Sequence, residues 1–325
     1  MIISRLTGGL GNQMFQYAAG MALAHKHRTA LKLDTGWFPV NAARSGVRHY
    51  AYALHCFNVL EQFATEEEIN GLIGQSGGLC ERVAHRAATV LGLHRLSRLL
   101  GPSVGQLHNQ ESARFYPSFL DLPDNTYLSG TFQSEKFFLP VAEQLRPQFS
   151  FRYPLSSEVA GLDREIQETE SISVHFRWGD YVSDARYREG LGVLPMSYYR
   201  DAVALLRQKL GTAVKLYVFS DDIDAVEKEF LPDAPRTYVR GVRPENSHDE
   251  LRLMALCRHN VIANSTFSWW AAWLNANPAK IVIAPDPFFQ GLGADGADIV
   301  PQSWVKLPVA PAQPVKTRLG QAVDA

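Results

Sequence analysis

The chain has almost no net charge, few cysteines and no long apolar run, and each shortage removes a class of function. Lys and Arg number 32 against 33 Asp and Glu, a formal charge of −1. No overall field therefore gathers nucleic acid or anionic substrates, and any positive site must be local. Cys56, Cys80 and Cys257 form an odd set at wide spacing with no C-x-x-C pair. That argues against zinc or redox work and fits reduced thiols in a cytoplasmic protein. No apolar stretch reaches the ~18 to 20 residues of a membrane span, and the amino terminus lacks the charged-then-apolar pattern of an export signal. The expected protein is cytoplasmic, at most peripherally attached to a membrane. Fixed-period repeats and low-complexity tracts are also missing.

What the chain does have is length and apolar content. Its 325 residues, 46% of them hydrophobic, amount to about two domains at roughly 150 residues each and suffice for a sizeable core. One surface stands apart. Within residues 79–100, Arg82, Arg86, Arg95 and Arg98 outnumber the lone Glu81 and alternate with Leu, Val and Ala. Two readings stay open there: a basic amphipathic helix lying on anionic lipid, or a solvated helix over the core, which the interrupting Gly92 and Gly101 favour.

Short β-like runs recur at 2–6, 29–33, 171–176, 214–219, 260–263 and 280–284. Between them lie helical spacings: Met14, Tyr17, Ala18, Met21 and His25, then Tyr199, Ala202, Val203, Leu206 and Leu210 with Gly211 as the stop. Ser247 and Glu250 have capping-box spacing ahead of Leu251, Met254 and Ala255. Strands alternating with helices of this length predict a parallel α/β architecture. Two such series, one opening at residue 2 and one near 171, place a boundary in the mixed stretch 147–161, giving units 1–150 and 151–307 and a proline-containing tail, 308–325.

Four segments carry candidate chemistry. The first is Gly8-Gly9-Leu10-Gly11-Asn12-Gln13, between a strand and the Met14 helix, where glycines permit a tight turn and a close ligand. It is near a dinucleotide fingerprint, with Asp34 about 20 residues on, but Met14 occupies the third glycine position. The second, Ser173-Val174-His175-Phe176-Arg177-Trp178-Gly179-Asp180, ends a strand, where ligands of open α/β sheets bind. Alternation puts Ser173, His175 and Arg177 on one side and Val174 and Phe176 on the other. Arg177 suits a phosphate through its two-pronged donor fork, or else pairs with Asp180 and orders the turn.

The third segment runs from Asn260 to Leu274. An apolar strand enters the hydroxyl-rich turn Asn264-Ser265-Thr266-Phe267-Ser268 and then a helix bearing Trp269, Trp270 and Trp273. The hydroxyls serve either as caps or as part of an anion site at the helix start. The tryptophans read as core, with a sugar-stacking platform as the alternative. The fourth, Asp222-Ile223-Asp224 after Phe219-Ser220-Asp221, has D-x-D spacing that can hold a divalent metal against a diphosphate. The metal-free alternative is favoured: Asp221 or Asp222 accepts hydrogen bonds from a base or ribose, or caps the next helix.

Together and in this order, these segments resemble the α-1,2-fucosyltransferases of glycosyltransferase family 11. The resemblance rests on the Gly8 to Ala18 run, His175-x-Arg177 through Gly179-Asp180-Tyr181, Phe219-Ser220-Asp221-Asp222, and Ala263 through Trp270. It implies an α/β fold of GT-B type, two Rossmann-like domains facing a central cleft, with the acceptor on the amino-terminal side and GDP-fucose held by the carboxyl-terminal domain without cofactor or metal. By the same resemblance His175, Arg177, Asp221, Asp222, Asn264, Ser265, Thr266, Phe267 and Ser268 line the donor site. Gly9, Gly11, Asn12 and Gln13 face fucose and acceptor, and Arg177, His175 and Asn12 carry the catalytic roles. The family's motif reads H-x-R-R-x-D, and Trp178 replaces its second arginine here.

The implied reaction is inverting transfer of L-fucose from GDP-β-L-fucose to the 2-hydroxyl of a terminal galactose in an oligosaccharide or lipopolysaccharide. The expected partners are GDP-fucose and a galactose-terminated glycan, with no nucleic acid and with peripheral membrane contact through 79–100 left open. Two rivals accompany this expectation: an NAD-linked oxidoreductase built on Gly9, Gly11 and Asp34, and a non-catalytic carbohydrate-binding protein using the tryptophan helix.

Overall fold

The computed structural model describes residues 1–40, 51–73, 106–110, 114–179, 192–289 and 296–309. The basic segment 79–100, Asp180, Tyr181 and the tail from 310 lie outside these residues. Two parallel sheets organise the chain. The first consists of β1 (Ile2–Arg5), β2 (Leu31–Asp34), β3 (Gln106–Asn109) and β4 (Thr126–Ser129) in the order β2-β1-β4-β3. The second holds β5 (Glu170–Phe176), β6 (Val214–Ser220), β7 (Arg236–Tyr238), β8 (His259–Val261), β9 (Val282–Asp286) and β10 (Val305–Pro308) in the order β10-β9-β8-β5-β6-β7.

Every strand pairing in both sheets is parallel. In the second sheet the chain steps outward from β5 through β6 to β7, then returns to β8 on the other side of β5. That reversal is the doubly wound arrangement, and the crevice at the carboxyl ends of β5 and β8 is its switch point. The first sheet has the corresponding reversal at β1, between β2 and β4. This is the GT-B-type α/β architecture expected. β1, β2, β5, β6, β8 and β9 fall where the apolar runs put them, within about two residues, whereas β3, β4, β7 and β10 correspond to no expected run. Among the described residues no helix is long and apolar enough to cross a membrane.

Helix α1 (Leu10–His27) starts four residues before the expected Met14, so Gly11, Asn12 and Gln13 form its first turn and are not loop. The cause is local. Gly8, at φ +71, reverses the chain, and Gly9 takes the extended N-cap position, leaving the backbone ready to wind at Leu10. His25, Lys26 and His27 fill the last turn, where positive charge complements the helix dipole. Helix α2 (Glu66–Ile73) packs beside β3 and β4, while α3 (Ala142–Gln148) and α4 (Leu162–Glu168) lie between the sheets in sequence.

Helix α5 (Met196–Leu210) joins β5 to β6 and stops at Gly211, φ +87, as its spacing predicts. Then come α6 (Ile223–Glu229), α7 (Ser247–Leu256) and α8 (Thr266–Leu274). The capping box expected at the start of α7 does not form. A 3-10 turn, Pro244–Asn246, runs straight into the helix, so Ser247 is already helical and Asn246 is an N-cap without a side-chain bond. Glu250 is thereby released from any capping duty.

One apolar core runs from the first sheet across α1 and α8 to the inner face of the second, and a separate cluster fills its outer face under α5. The three α8 tryptophans belong to the shared core: Trp269 and Trp270 are fully buried and Trp273 is 5% exposed. Phe15 of α1 sits with ring centroids 4.6 and 4.9 Å from Trp269 and Trp270. The Trp269 indole donates to Ile299 O at 2.7 Å and that of Trp270 to Gly11 O at 3.0 Å, so burial leaves neither N–H unpaired. At the far end of α8, Lys280 donates to the Ala272 and Asn275 carbonyls and Arg146 to that of Trp273, placing cations on the negative end of the dipole.

The two halves meet most closely at Gly11. A Cβ there would lie 2.6 Å from the Thr266 carbonyl carbon, 2.7 Å from its Oγ1 and 2.8 Å from Phe267 N. A methyl group has no room against that backbone. Gly11→Ala is expected to cost about 1–3 kcal/mol in denaturant unfolding by overpacking. Gly9→Ala, at φ −79 with nothing within 4 Å, should stay within about 0.5 kcal/mol of the parent. Equal effects from the two substitutions would contradict this origin of the glycine at 11.

Candidate active site

Parallel register builds the centre of the site. Phe176 pairs with Ser220 across β5 and β6, so the next residue of each strand, Arg177 and Asp221, emerge side by side at the sheet's carboxyl edge. Arg177 Nη1 lies 2.8 Å from Asp221 Oδ2, and Asp221 Oδ1 accepts the Trp178 N–H at 2.8 Å. Arg177 is thus aimed by Asp221. Asp180, the partner considered from spacing, lies outside the described residues. The Arg177 side chain remains 31% exposed, so it is held in place without being sealed from a ligand. Gly179 fits over this pair because a Cβ there would meet Asp221 Cγ at 3.0 Å.

The alternation along β5 holds. Val174 and Phe176 enter the outer cluster, while Ser173 and His175 face the other way. Ser173 is buried and accepts from Asn260 Nδ2 at 2.8 Å, a structural role. His175 is 4% exposed, with its ring centroid 5.9 Å from that of Phe267, and its Nδ1 has no hydrogen-bond partner. Burial pushes the imidazole down to about 4, against the pull of Asp221, with Arg177 adding to the depression. The ring is therefore neutral at physiological pH, able to donate from one nitrogen and accept at the other. Trp178 packs at the edge of Phe176, 5.8 Å away, on the side of the outer cluster. The position of the family's second arginine thus turns away from the face that carries His175.

The D-x-D pair does not converge. Asp222 caps α6 by accepting Ala225 N–H at 3.2 Å, and Asp224 pairs with Arg240 at 2.9 Å. On the other side of the switch point, β8 delivers the start of α8. Asn264 is 2% exposed and donates to Gly192 O at 2.9 Å. Ser265 is the N-cap, its Oγ accepting from Phe267 N–H at 3.3 Å, and the buried Ser268 hydroxyl turns back to Ser265 O at 3.4 Å. Capping thus occupies Ser265, and a back-bond to its carbonyl occupies Ser268. Thr266 and Phe267 are the half-buried residues of this turn.

Thr266 also ties the halves together. Its hydroxyl donates to Asn12 Oδ1 at 3.1 Å, and the same oxygen accepts from Gln133 Nε2 at 3.1 Å. Asn12 therefore reaches the second sheet's edge, whereas Gln13 does not. Gln13 is fully buried, donates to Gly8 O and Ala51 O at 2.9 Å each, and accepts Ala53 N–H at 2.8 Å, so it anchors the 51–53 segment and turns no polar group to the cleft. Gly9 is half-buried and unobstructed, and Gly11 serves the helix contact described above.

Two residues escape a reading by motif. Gln133 belongs to no motif; its turn depends on Phe132 at φ +49, with Gln110 Oε1 accepting the Phe132 N–H at 2.6 Å. Glu250 is hidden by its apparent capping role. Both rival readings fail on geometry. The Asp34 carboxylate, 8% exposed, accepts Gly36 N–H at 2.8 Å and the Tyr127 hydroxyl, which leaves it no ribose to hold. The α8 tryptophans offer no exposed face for a sugar. A recess of about 490 Å3 lined by Met21, His25, Arg28 and Leu60 lies at the carboxyl end of α1, remote from these groups.

A direct check on this environment is the His175 ring. Its NMR signals should remain those of neutral imidazole down to about pH 5 or lower. Since the unfolded ring takes up its proton near 6.5, the stability this burial confers is lost as pH falls from there toward 4. A midpoint near 6.5 in the folded protein would contradict the enclosure described.

Comparison with known proteins converges on one group. The model of glycosyl transferase family 11 matches residues 111–306. The chain is 29% identical over 308 residues to the alpha-1,2-colitosyltransferase of Escherichia coli, spanning 94% of this chain and 99% of that protein. It is 30% identical over 314 residues to the O-antigen biosynthesis glycosyltransferase WbnK of Escherichia coli, with the same coverages of 94% and 99%. The galactoside alpha-(1,2)-fucosyltransferase 1 of Saimiri sciureus is 27% identical over 190 residues, 55% of this chain and 51% of that one. With motifs, doubly wound sheet and near end-to-end likeness in agreement, the chain belongs to glycosyl transferase family 11 and is a glycosyltransferase.

Proposed function

We propose that this enzyme moves L-fucose from GDP-β-L-fucose to the 2-hydroxyl of a terminal galactoside, with inversion and without a metal. The observation that carries the proposal is the Arg177–Asp221 pair at the switch point, a partly exposed arginine aimed by a carboxylate. The α-1,2 linkage draws on the names of the relatives, and the glycan class on the one named for O-antigen biosynthesis. A cytoplasmic location belongs to the same proposal, with residues 79–100 as its candidate membrane contact.

The chemistry follows from charge. As the bond between the fucosyl anomeric carbon and the β-phosphate oxygen breaks, negative charge grows on GDP and the sugar acquires oxocarbenium character. A fixed guanidinium near that oxygen stabilises the transition state more than the ground state. The N–H groups at the start of α8 add a fixed partial positive charge. The acceptor oxygen forms its bond from the opposite face and loses its proton late, so a weak base or a departing phosphate oxygen suffices. Asp221 contributes by orientation: without it the guanidinium would sample several rotamers, and precise placement is what converts a bound pair into a reactive one.

A second donor has one specific support, the relative named a colitosyltransferase. Colitose is fucose without its 3-hydroxyl, so both sugars suit the same diphosphate grip. The deciding experiment pairs GDP-fucose, GDP-colitose and other sugar nucleotides with galactose-terminated glycans and analyses the linkage formed. Fucosyl transfer in α-1,2 linkage is expected; turnover of a uridine or adenosine donor alone would sink the proposal. Arg177→Ala should lower kcat/KM at least ~100-fold, the scale of losing one charge-stabilising donor, with the fold intact. Chelation should leave the rate unchanged, whereas activity restored only by manganese or magnesium would reinstate Asp222 and Asp224 as metal ligands.

A further inference from the structure

The two halves each send one donor to the same atom. Asn12 Oδ1 accepts from the Thr266 hydroxyl of the second half and from Gln133 Nε2 of the first, both at 3.1 Å. A carboxamide oxygen has two lone pairs, so these donors fill it. The Asn12 amino group, in contrast, makes no hydrogen bond among the described residues. It lies over the turn into α1, where a Cβ on Gly8 would come within 2.7 Å of Nδ2, and Gly9 beside it leaves open space. Asn12, Gln133 and Thr266 are all half-buried, so the amide stands at the surface where the halves meet and not within the core.

Gln133 is itself held from both sides. Its turn follows β4, and Gln110 Oε1 accepts the Thr131 and Phe132 N–H groups at 3.1 and 2.6 Å. On the other side Asp298 O accepts the Ser134 hydroxyl at 2.7 Å, and the Asp298 carboxylate pairs with Lys136. Phe132 takes φ +49, a conformation that a bulky residue keeps only when its surroundings impose it. Strain and clamps together deliver one N–H to one oxygen.

An asparagine amide can show either of its ends to a ligand, and the two have opposite polarity. Beside the start of α8, where charge grows on a departing diphosphate, the amino end stabilises and the oxygen end repels. We propose that Gln133 is a positioning residue for glycosyl transfer. By donating to Asn12 Oδ1 it holds the amide with its amino group toward the cleft, so that Asn12 acts there as a donor and does not accept the proton of the incoming hydroxyl. Thr266 supplies the matching hold from the second half, which sets the amide only while the halves are in contact. The inference rests on the diphosphate site proposed above and adds a residue that acts on it through Asn12.

Kinetics of the full chain with GDP-fucose and a galactoside test this. Gln133→Glu puts a carboxylate against Asn12 Oδ1, so the amide turns over. The rate constant kcat should fall ~100-fold, the scale of losing one charge-stabilising donor, with the donor KM within about threefold of the parent. Gln133→Met, which keeps the length and loses only the N–H, should lower kcat about tenfold, the scale of one hydrogen bond. In an Asn12→Ala background, read by single-turnover assay, Gln133→Met should change the rate less than about twofold, because nothing is left to hold. Melting temperatures should match within each pair. Near-parent kcat in Gln133→Glu overturns the inference, since Asn12 would then be donating to Gln133 and showing its oxygen to the cleft. Equal factors for Gln133→Met in the two backgrounds also overturn it and leave Gln133 a structural residue. A parent that works only with another sugar nucleotide refutes the donor proposed above, while the same ratios read with that nucleotide still decide Gln133.

Discussion

The site depends on one ion pair created by strand register. Pairing Phe176 with Ser220 leaves the chain no choice about where Arg177 and Asp221 emerge. The carboxylate then uses one oxygen on the guanidinium and the other on the Trp178 amide, which fixes the turn as well as the side chain. A long, flexible arginine becomes a directed donor at small cost, because it is aimed before any substrate arrives. Mutual attraction at a partly exposed site is modest; its value lies in geometry.

The second requirement is that the two halves come together at the edge where that pair sits. Helices α1 and α8 meet amino terminus to amino terminus, with Gly11 against the Thr266 backbone and Asn12 bonded to both Thr266 and Gln133. Aromatic packing of Phe15 on Trp269 and Trp270 stands directly behind this contact. The glycine-rich start of the chain, which suggests a phosphate cradle, thus owes its glycines to a turn at Gly8 and a helix crossing at Gly11. The amides at the start of α8 and the guanidinium of Arg177 lie on either side of one switch point, two independently built elements that each present positive charge to the sheet's carboxyl edge.

Much of this architecture is legible in the order of the residues. Apolar runs locate six of the ten strands but not β3, β4, β7 or β10, and alternation along β5 separates Arg177 and His175 from Val174 and Phe176. Partnership across the fold is not legible in the same way. Spacing offers Arg177 its near neighbour Asp180, which lies outside the described residues, but gives no hint of Asp221, one register step away on the adjacent strand. Gln13 resembles its neighbour Asn12 on paper, yet one turns inward to three backbone groups and the other outward, a difference set by where residues 51–53 pass. Glu250 has the spacing of a capping box, and only the 3-10 entry into α7 reveals that the cap is not made. Local patterns are readable because their causes are local; the misread residues owe their roles to segments tens of residues away.

The central claim is that a nucleotide diphosphate is gripped between the Arg177 guanidinium and the start of α8. A crystal structure of the enzyme with GDP tests it most directly. The account requires the β-phosphate within hydrogen-bond distance of Arg177, with the Asp221 pair retained behind it. GDP seated elsewhere, with Arg177 still turned wholly onto protein, would contradict it.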